Sequence, residues 1–264
     1  MSSNSPRDSS LFNYRQLTSA ELAGYHDQGF LVIKAVLTPA GVTRIVDECM
    51  SAWNALKGPY NPNANWLDNA LLPNIHHRSS AVRDFYFEGP LVDFAEQLIG
   101  PNVKAVTSQL TFKMRGNTKA FAWHQDNGYG ELDPYNAITC LTALEDTDLE
   151  TGCLWIIPGS HRLGQVVPGL TEEDKKANRE VVIKADESKA VAMPMRAGDT
   201  LIFSCWMLHK SEGNYSKTRD RRVLFFRYAD ADAVEVYNKR QPRLGRLIRG
   251  ESRFPAVTAF EKEL

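Results

Sequence analysis

Residues 121–126 read Phe-Ala-Trp-His-Gln-Asp and predict an extended segment that carries two metal-ligating side chains, His124 and Asp126. Side chains two positions apart on a strand point to the same face. An imidazole and a carboxylate at this spacing can therefore converge on one ion. The segment predicts a metal site carried by a β-strand.

The third ligand is expected from a neighbouring strand, which permits a long gap in the sequence. The apolar run Leu201-Ile-Phe-Ser-Cys-Trp-Met-Leu-His209 predicts a buried strand that ends at His209. Two imidazoles and one carboxylate form the facial ligand set of iron(II) sites with open coordination positions. We therefore predict that His124, Asp126 and His209 are the metal ligands and the catalytic centre.

The composition favours a single domain over residues 1–264. The chain has 264 residues, 43% of them hydrophobic, which is enough for a substantial core. Residues 1–15 are expected to be flexible, and residues 238–264 to form a C-terminal tail near the mouth of the active site. The net charge of −1, from 31 basic and 32 acidic residues, supplies no attraction to nucleic acid or to a membrane surface.

The cysteines and the N-terminal residues predict a cytoplasmic protein. The first ten residues are polar and lack the apolar core of a signal peptide. No apolar run approaches the roughly 18 residues of a membrane span. The cysteines are scattered without a Cys-x-x-Cys pair, as expected for reduced and buried thiols; they are Cys49, Cys140, Cys153 and Cys205.

Helix signals dominate the first hundred residues. A capping box at Thr18-Ser-Ala-Glu21 predicts a helix that ends near Gly29, and Thr38-Pro39 begins a helix that Gly58-Pro59 stops. A third helix is predicted over Pro90–Ile99. Phe30–Val36 is predicted as a strand and 60–74 as a loop.

Strand signals follow from Val103 onward, separated by turn clusters. Helices before a series of antiparallel strands predict an α+β chain built on a jelly-roll or cupin-like double sheet. The predicted strands are Val103–Met114, Ala137–Leu144, Cys153–Ile157, Val181–Ile183, Val191–Met195, Leu201–Leu208 and Val223–Tyr228.

Three blocks of sequence closely resemble the phytanoyl-CoA dioxygenase family of iron(II)- and 2-oxoglutarate-dependent oxygenases. The blocks are Phe121-Ala-Trp-His-Gln-Asp126, Glu145-Asp-Thr-Asp-Leu-Glu-Thr-Gly-Cys-Leu-Trp-Ile-Ile-Pro-Gly-Ser-His161 and His209-Lys-Ser-Glu-Gly-Asn214. The resemblance runs from about Leu17 to Tyr228. It implies a double-stranded β-helix core with N-terminal helices packed on one sheet, and it implies that His124, Asp126 and His209 bind iron(II).

The resemblance also implies an arginine, shortly after the second histidine, that pairs with the far carboxylate of 2-oxoglutarate. A guanidinium suits this role because its planar fork binds a carboxylate with two hydrogen bonds and keeps its charge. Arg221 matches the start of the last strand, one residue later than the usual spacing. Arg222 is the alternative, since only one of two neighbours on a strand can face inward.

Further positions around the cosubstrate follow from the same resemblance. Gln109 matches a residue that contacts 2-oxoglutarate, and Ser211 matches a serine close to it. Lys113 lies four residues after Gln109 and faces the same way on a regular strand. Leu141 stands where the family commonly has tryptophan, a difference expected to widen or reshape the pocket.

The resemblance implies a dioxygenase that hydroxylates a small molecule at an unactivated C–H bond, with 2-oxoglutarate and O₂ consumed and succinate and CO₂ formed. Asp126 favours hydroxylation, while desaturation and ring closure stay open. Two alternatives are an inactive binding protein on the same fold and a metal hydrolase, because His and Asp ligands also hold zinc. The prime substrate and the oligomeric state are left open.

Of three further groups of residues, the first has a structural interpretation, and each of the other two has two interpretations. His161 is expected in a structural turn. The pair His76-His77 either contacts cosubstrate or substrate or forms a solvated loop pair. Four C-terminal arginines either cover the pocket mouth and attract an anionic substrate or lie in a solvated tail; these are Arg240, Arg243, Arg246 and Arg249.

Overall fold

The computed structural model describes residues 8–127, 130–166, 183 and 185–264. The described residues form five α-helices: α1 Ser19–Gln28, α2 Pro39–Leu56, α3 Ser80–Phe87, α4 Pro90–Ile99 and α5 Pro255–Ala259. They also form β1 Phe30–Ile33, β2 Leu71–Pro73, β3 Val103–Lys113, β4 Phe121–His124, β5 Leu132–Asp133, β6 Ile138–Ala143, β7 Leu154–Ile156, β8 Val191–Met193, β9 Thr200–Ser204, β10 His209–Ser211, β11 Arg221–Asp230, β12 Val234–Glu235, β13 Gln241–Pro242 and β14 Arg246–Arg249.

Local sequence signals account for the first helices. The hydroxyl of Thr18 accepts a hydrogen bond from the Glu21 backbone, and the Glu21 carboxylate accepts one from the Thr18 N–H, so α1 begins with a capping box. It ends at Gly29, whose φ of 82° is in the left-handed region. Helix α2 begins after Thr38 with proline in its first turn and buries one face, as its sequence predicts.

Two antiparallel sheets make the body of the protein. The larger has the order β1-β9-β6-β11-β3-β14, with β2 also paired to β3, and the smaller has the order β4-β10-β7-β8. A short third sheet has the order β13-β12-β5. Apolar side chains from both main sheets form one cluster between them, while the helices pack on the outer face of the larger sheet. The predicted α+β double-stranded β-helix is confirmed.

Several predicted boundaries are wrong. The strand predicted over Leu201–Leu208 ends at Ser204, a turn follows, and His209 opens β10 in the other sheet. The predicted loop 60–74 contains β2, and α3 was not predicted. The strand predicted over Phe30–Val36 stops at Ile33. For the strand predicted over Val181–Ile183, residues 181 and 182 lie outside the described part of the chain.

The two ends of the chain are more closely packed than the sequence suggested. Residues 1–7 of the segment expected to be flexible lie outside the described residues, whereas Phe12 is buried and bridges to Leu37. At the other end, β14 pairs with β3, and Val257 of α5 is fully buried. Within the described ranges, no helix is long and apolar enough to cross a membrane.

Candidate active site

The three predicted ligands meet where β4 and β10 lie side by side in the smaller sheet. His209 is the direct partner of His124 in this strand pair. Asp126 lies two residues beyond the end of β4, so a turn, and not strand alternation, brings its carboxylate to the histidines. Its Oδ1 lies 3.6 Å from Nε2 of His209 and 3.9 Å from Nε2 of His124.

Both imidazoles are oriented by backbone carbonyls. Nδ1 of His124 lies 2.7 Å from the Ala122 oxygen, and Nδ1 of His209 lies 3.0 Å from the Met207 oxygen. A carbonyl can only accept, so each Nδ1 carries the proton and each Nε2 is left as a donor atom for a metal. Burial and the neighbouring His124 lower the pKa of His209 to about 4, which keeps this ring neutral.

Asp126 is held by two residues that sequence reasoning missed. Thr139 on β6 donates a hydrogen bond to Oδ2. Arg227 on β11 donates to the Asp126 backbone oxygen at 2.9 Å, and its Nη2 lies 3.7 Å from Oδ1. Burial alone would raise the pKa of Asp126, but the charge of Arg227 and the hydrogen bond from Thr139, with the adjacent imidazoles, hold it below its ordinary value. Strand alternation from Arg221 would have pointed to Arg227, and the β11–β6 register pairs it with Thr139.

A cavity of about 200 Å³ opens on this cluster. Its walls are largely apolar, and Leu141 is among them. The polar groups converge at one side, where β3 and β10 supply the predicted Gln109 and Ser211 together with Thr111. Gln109 donates a hydrogen bond to Thr111 over 3.3 Å.

Arg221 reaches the same cavity and is 1% exposed. Among the described residues, no carboxylate lies within ion-pair distance of its guanidinium, and its Nε has no hydrogen-bond partner. Burial lowers its pKa to about 10, so it stays charged at neutral pH. Its neighbour Arg222 faces the other way, where it pairs with Glu145 and stacks 5.2 Å from the Phe112 ring.

Lys113 is a second buried basic residue next to Arg221. Its amino group donates to the Ser211 hydroxyl at 2.9 Å, to the Ser211 carbonyl at 3.2 Å and to the Glu212 carbonyl. Burial and the charge of Arg221 lower the pKa of Lys113 to about 6. Lys113 therefore positions Ser211, and the charge of Arg221 makes this side of the cavity suited to an anion.

The remaining candidates lie away from the cluster. His161 sits in the 3-10 turn Ser160–Leu163, whose Ser160 hydroxyl accepts from the Leu208 N–H at 2.9 Å, so the turn supports the segment before His209. His76 and His77 contact Glu261 instead of the cavity. Gln125 lies between the predicted ligands His124 and Asp126. Its side chain donates hydrogen bonds to the backbone oxygens of Gly164 and Trp206 and so holds the segment that follows β4 in place.

The C-terminal arginines do not form a free basic surface. Three of them pair with carboxylates: Arg240 with Asp133 at 2.6 Å, Arg243 with Glu235 at 2.7 Å and Arg249 with Asp93 at 3.1 Å. The fourth lies over an aromatic ring: the guanidinium of Arg246 is 4.4 Å from the Phe87 ring centre.

The donor set fits the expected metal and cosubstrate. Two neutral imidazoles and one ionised carboxylate suit iron(II) and leave positions open toward the cavity. The buried guanidinium of Arg221, which has no carboxylate partner in the described part of the chain, suits the far carboxylate of 2-oxoglutarate, because a buried charge is normally paired.

Comparison with known proteins identifies the same family that the sequence resembles. Residues 25–223 match the family described as phytanoyl-CoA dioxygenase. The chain is 28% identical over 232 residues to methylphosphonate hydroxylase of Gimesia maris, covering 84% of this chain and 85% of that protein. It is 27% identical over 180 residues to phytanoyl-CoA dioxygenase of Arabidopsis thaliana, covering 68% of this chain and 62% of the plant protein.

The fold also matches solved structures. EctD from S. alaskensis, solved with 2-oxoglutarate and 5-hydroxyectoine, superposes with a TM-score of 0.69 at 21% identity, covering 94% of this chain and 93% of that one. The same protein has been solved with bound Fe. The predicted class, an iron(II)- and 2-oxoglutarate-dependent oxygenase, is confirmed. The chain belongs to the phytanoyl-CoA dioxygenase family.

Proposed function

We propose that this protein hydroxylates a small molecule at an unactivated C–H bond, with His124, Asp126 and His209 as its iron ligands. The observation that carries the proposal is Arg221, a buried cation without a carboxylate partner among the described residues, in the same cavity as the three ligands. A hydrolase or a simple binding protein would not require this buried charge beside the metal cluster.

With iron(II) bound, 2-oxoglutarate and O₂ supply the oxidation, so that substrate C–H becomes C–OH while 2-oxoglutarate becomes succinate and CO₂. The protein binds and orients the reactants and keeps water out. Arg221 holds the far carboxylate of 2-oxoglutarate, Ser211 and Gln109 line its flank, and Lys113 fixes Ser211. Thr139 and Arg227 hold the Asp126 carboxylate in position.

The apolar walls favour a compact substrate with an aliphatic reacting group. Leu141, Phe203 and Phe225 line the cavity of about 200 Å³ beside the metal ligands. Among similar proteins, one is named methylphosphonate hydroxylase and another ectoine dioxygenase, and both names denote small molecules. We propose a substrate of this size class. We also propose a cytoplasmic site of action, since all four cysteines are free and buried.

The experiment that tests the function measures succinate formed from 2-oxoglutarate in air, with iron(II) or zinc and a panel of small molecules. Succinate and an oxygenated product are expected when iron(II) is the metal added, and neither is expected with zinc. A metal hydrolase would instead turn over with zinc and without 2-oxoglutarate, and an inactive binding protein would form succinate with neither.

Alanine at His124, Asp126 or His209 is expected to abolish succinate formation while unfolding stays cooperative, because these side chains are the whole protein contribution to the metal. The matched control is His161→Ala, which removes a histidine outside the cavity and should retain activity. Near-native turnover by His209→Ala would remove this residue from the ligand set.

A further inference from the structure

A second cluster of metal-ligating side chains lies outside the active site. His76 and His77 belong to the 3-10 turn Ile75–His77, and Glu261 follows α5. Nε2 of His76 lies 3.3 Å from Glu261 Oε2, and Nε2 of His77 lies 3.0 Å from Oε1. One carboxylate from the C-terminal segment therefore contacts two adjacent imidazoles.

This cluster is separated from the active site by β3. The hydroxyl of Ser108 contacts His76, whereas the next residue, Gln109, lines the active-site cavity. Neighbouring side chains on a strand point to opposite faces, so the two clusters lie on opposite faces of the larger sheet. The second cluster is therefore not a subsite of the first.

We propose that His76, His77 and Glu261 bind a divalent transition-metal ion, with zinc the best match to the donor types. Zinc accepts imidazole nitrogen and carboxylate oxygen at about 2.0–2.2 Å, which places the donor atoms of a tetrahedral site about 3.3–3.6 Å apart. The two nitrogen–oxygen separations are 3.3 and 3.0 Å, and all three donor atoms lie within 4.8 Å of one another.

The most buried ligand is already oriented for this role. Nδ1 of His76 lies 2.5 Å from the Ser108 hydroxyl, which leaves Nε2 directed at Glu261. Its ring packs against Tyr86 and Phe87, at centroid distances of 5.4 and 5.3 Å. A hydrogen-bond partner on the second ring nitrogen is the usual support of a metal-bound histidine.

The surroundings provide access and further coordination positions. His76 and Glu261 line a cavity of about 620 Å³, which is larger than the active-site cavity. The His77 side chain is 39% exposed. Water can therefore complete the coordination. The ion would join the turn before α3 to the segment after α5, which are 185 residues apart, and so stabilise the folded state.

The test uses the full-length His124→Ala/His209→Ala variant, which lacks the active-site histidines, and measures bound zinc after equilibrium dialysis. One zinc per chain is expected. A further change, either His77→Ala or Glu261→Gln, should remove it, and the glutamine keeps the size of the side chain it replaces. His26→Ala and Glu263→Gln are the matched controls, since both alter residues outside the cluster, and they should retain the zinc.

A supporting variant separates metal binding from a hydrogen-bonded His–Glu contact. Ser108→Ala keeps all three donors but removes the partner of His76, and it should weaken zinc binding by about 10–100-fold. Zinc should also raise the unfolding midpoint of the protein lacking the active-site histidines, and Glu261→Gln should abolish that rise. No bound zinc, or equal zinc with and without His77 and Glu261, would overturn the proposal.

Discussion

Arg221 is the residue on which the proposed activity depends most directly. Its guanidinium is buried beside the metal ligands, and a charge removed from water costs several kcal/mol unless a partner offsets it. In the proposed function, the far carboxylate of 2-oxoglutarate would supply that partner. Without the arginine, the same carboxylate would itself be buried and unpaired.

We expect Arg221→Ala to raise the KM for 2-oxoglutarate far more than the KM for the prime substrate. An unpaired buried carboxylate costs about 3–5 kcal/mol, which corresponds to at least about a hundredfold loss of affinity. Steady-state kinetics with each reactant varied in turn measures the effect. Arg222→Ala is the control, because Arg222 pairs with Glu145 on the opposite face and should leave this KM unchanged. Exchanged results would show that Arg222 is the binding residue.

Lys113 makes the stability of the protein depend on pH with a definite sign. Burial, with the Arg221 charge, lowers its pKa to about 6, whereas a lysine in the unfolded chain has a pKa of about 10.4. Between these values the unfolded state binds more protons than the folded state, so the contribution of Lys113 to the free energy of unfolding rises with pH. Below the folded pKa both states are protonated, and the contribution is constant and least favourable.

The free energy of unfolding of the wild type, relative to Lys113→Met, should therefore rise between about pH 6 and pH 8, by up to about 1.4 kcal/mol per pH unit. Denaturant titrations at several pH values measure this difference. Lys119→Met, which alters an exposed lysine, should leave the pH profile as it is. A difference that stays constant with pH would show that Lys113 keeps its proton in the folded state.

At the scale of the elements, the sequence predicted what local chemistry encodes. Capping residues and prolines set the starts of α1, α2 and α4, and the predicted Pro90–Ile99 agrees with the structure. The strand predicted to extend to Leu208 is wrong beyond Ser204 because an apolar sequence indicates that residues are buried but not which way the backbone turns. Residues 205–208 are buried in a turn between sheets, and they look like a strand in the sequence.

The features that were missed depend on partners distant in the sequence. β14 exists because β3 offers a free edge, and nothing in the sequence Arg246-Leu-Ile-Arg249 indicates that pairing. Two of the arginines, Arg240 and Arg249, pair with Asp133 and Asp93, which lie more than a hundred residues earlier, so these pairs could not be predicted from the sequence. The three predicted metal ligands, in contrast, carry a recognisable chemical pattern, and the structure brings them together.

The packing of the C-terminal segment changes the expected result of truncation after Asn238. If the C-terminal arginines covered the pocket mouth, truncation would weaken substrate binding selectively, but it also removes β14 from the larger sheet and the buried Val257. We expect the truncated protein to lose stability as a whole, seen as a lower midpoint of urea unfolding. A native midpoint with weaker substrate binding would restore the original interpretation.

A milder change tests how much the packing of α5 contributes to stability. Val257→Ala should cost about 1.6 kcal/mol from the two buried carbon atoms that it removes. Thr258→Ala, at the exposed neighbouring position, is the control and should change stability by less than about 0.5 kcal/mol.

At the scale of the whole molecule, the active site lies between the two sheets, so its ligands bind only the folded state. Iron(II) with 2-oxoglutarate, each at a hundred times its Kd and without oxygen, should therefore raise the unfolding midpoint by about 10–20 °C. Each ligand adds about 2.7 kcal/mol under these conditions, and each kcal/mol shifts the midpoint by about 2–4 °C at this chain length. Calorimetry measures the shift. Arg221→Ala should lose the 2-oxoglutarate part alone, and His209→Ala should lose both.

The position of Arg221 also has a consequence for turnover. Under the proposed function, the guanidinium would contact the end of 2-oxoglutarate that the reaction leaves unaltered, and succinate keeps that same carboxylate. The residue that secures the reactant would therefore also retain the product, and a fresh cosubstrate would have to displace it. When succinate accumulates, its release would become the slow step, and the rate would then follow the ratio of the two dicarboxylates around the protein.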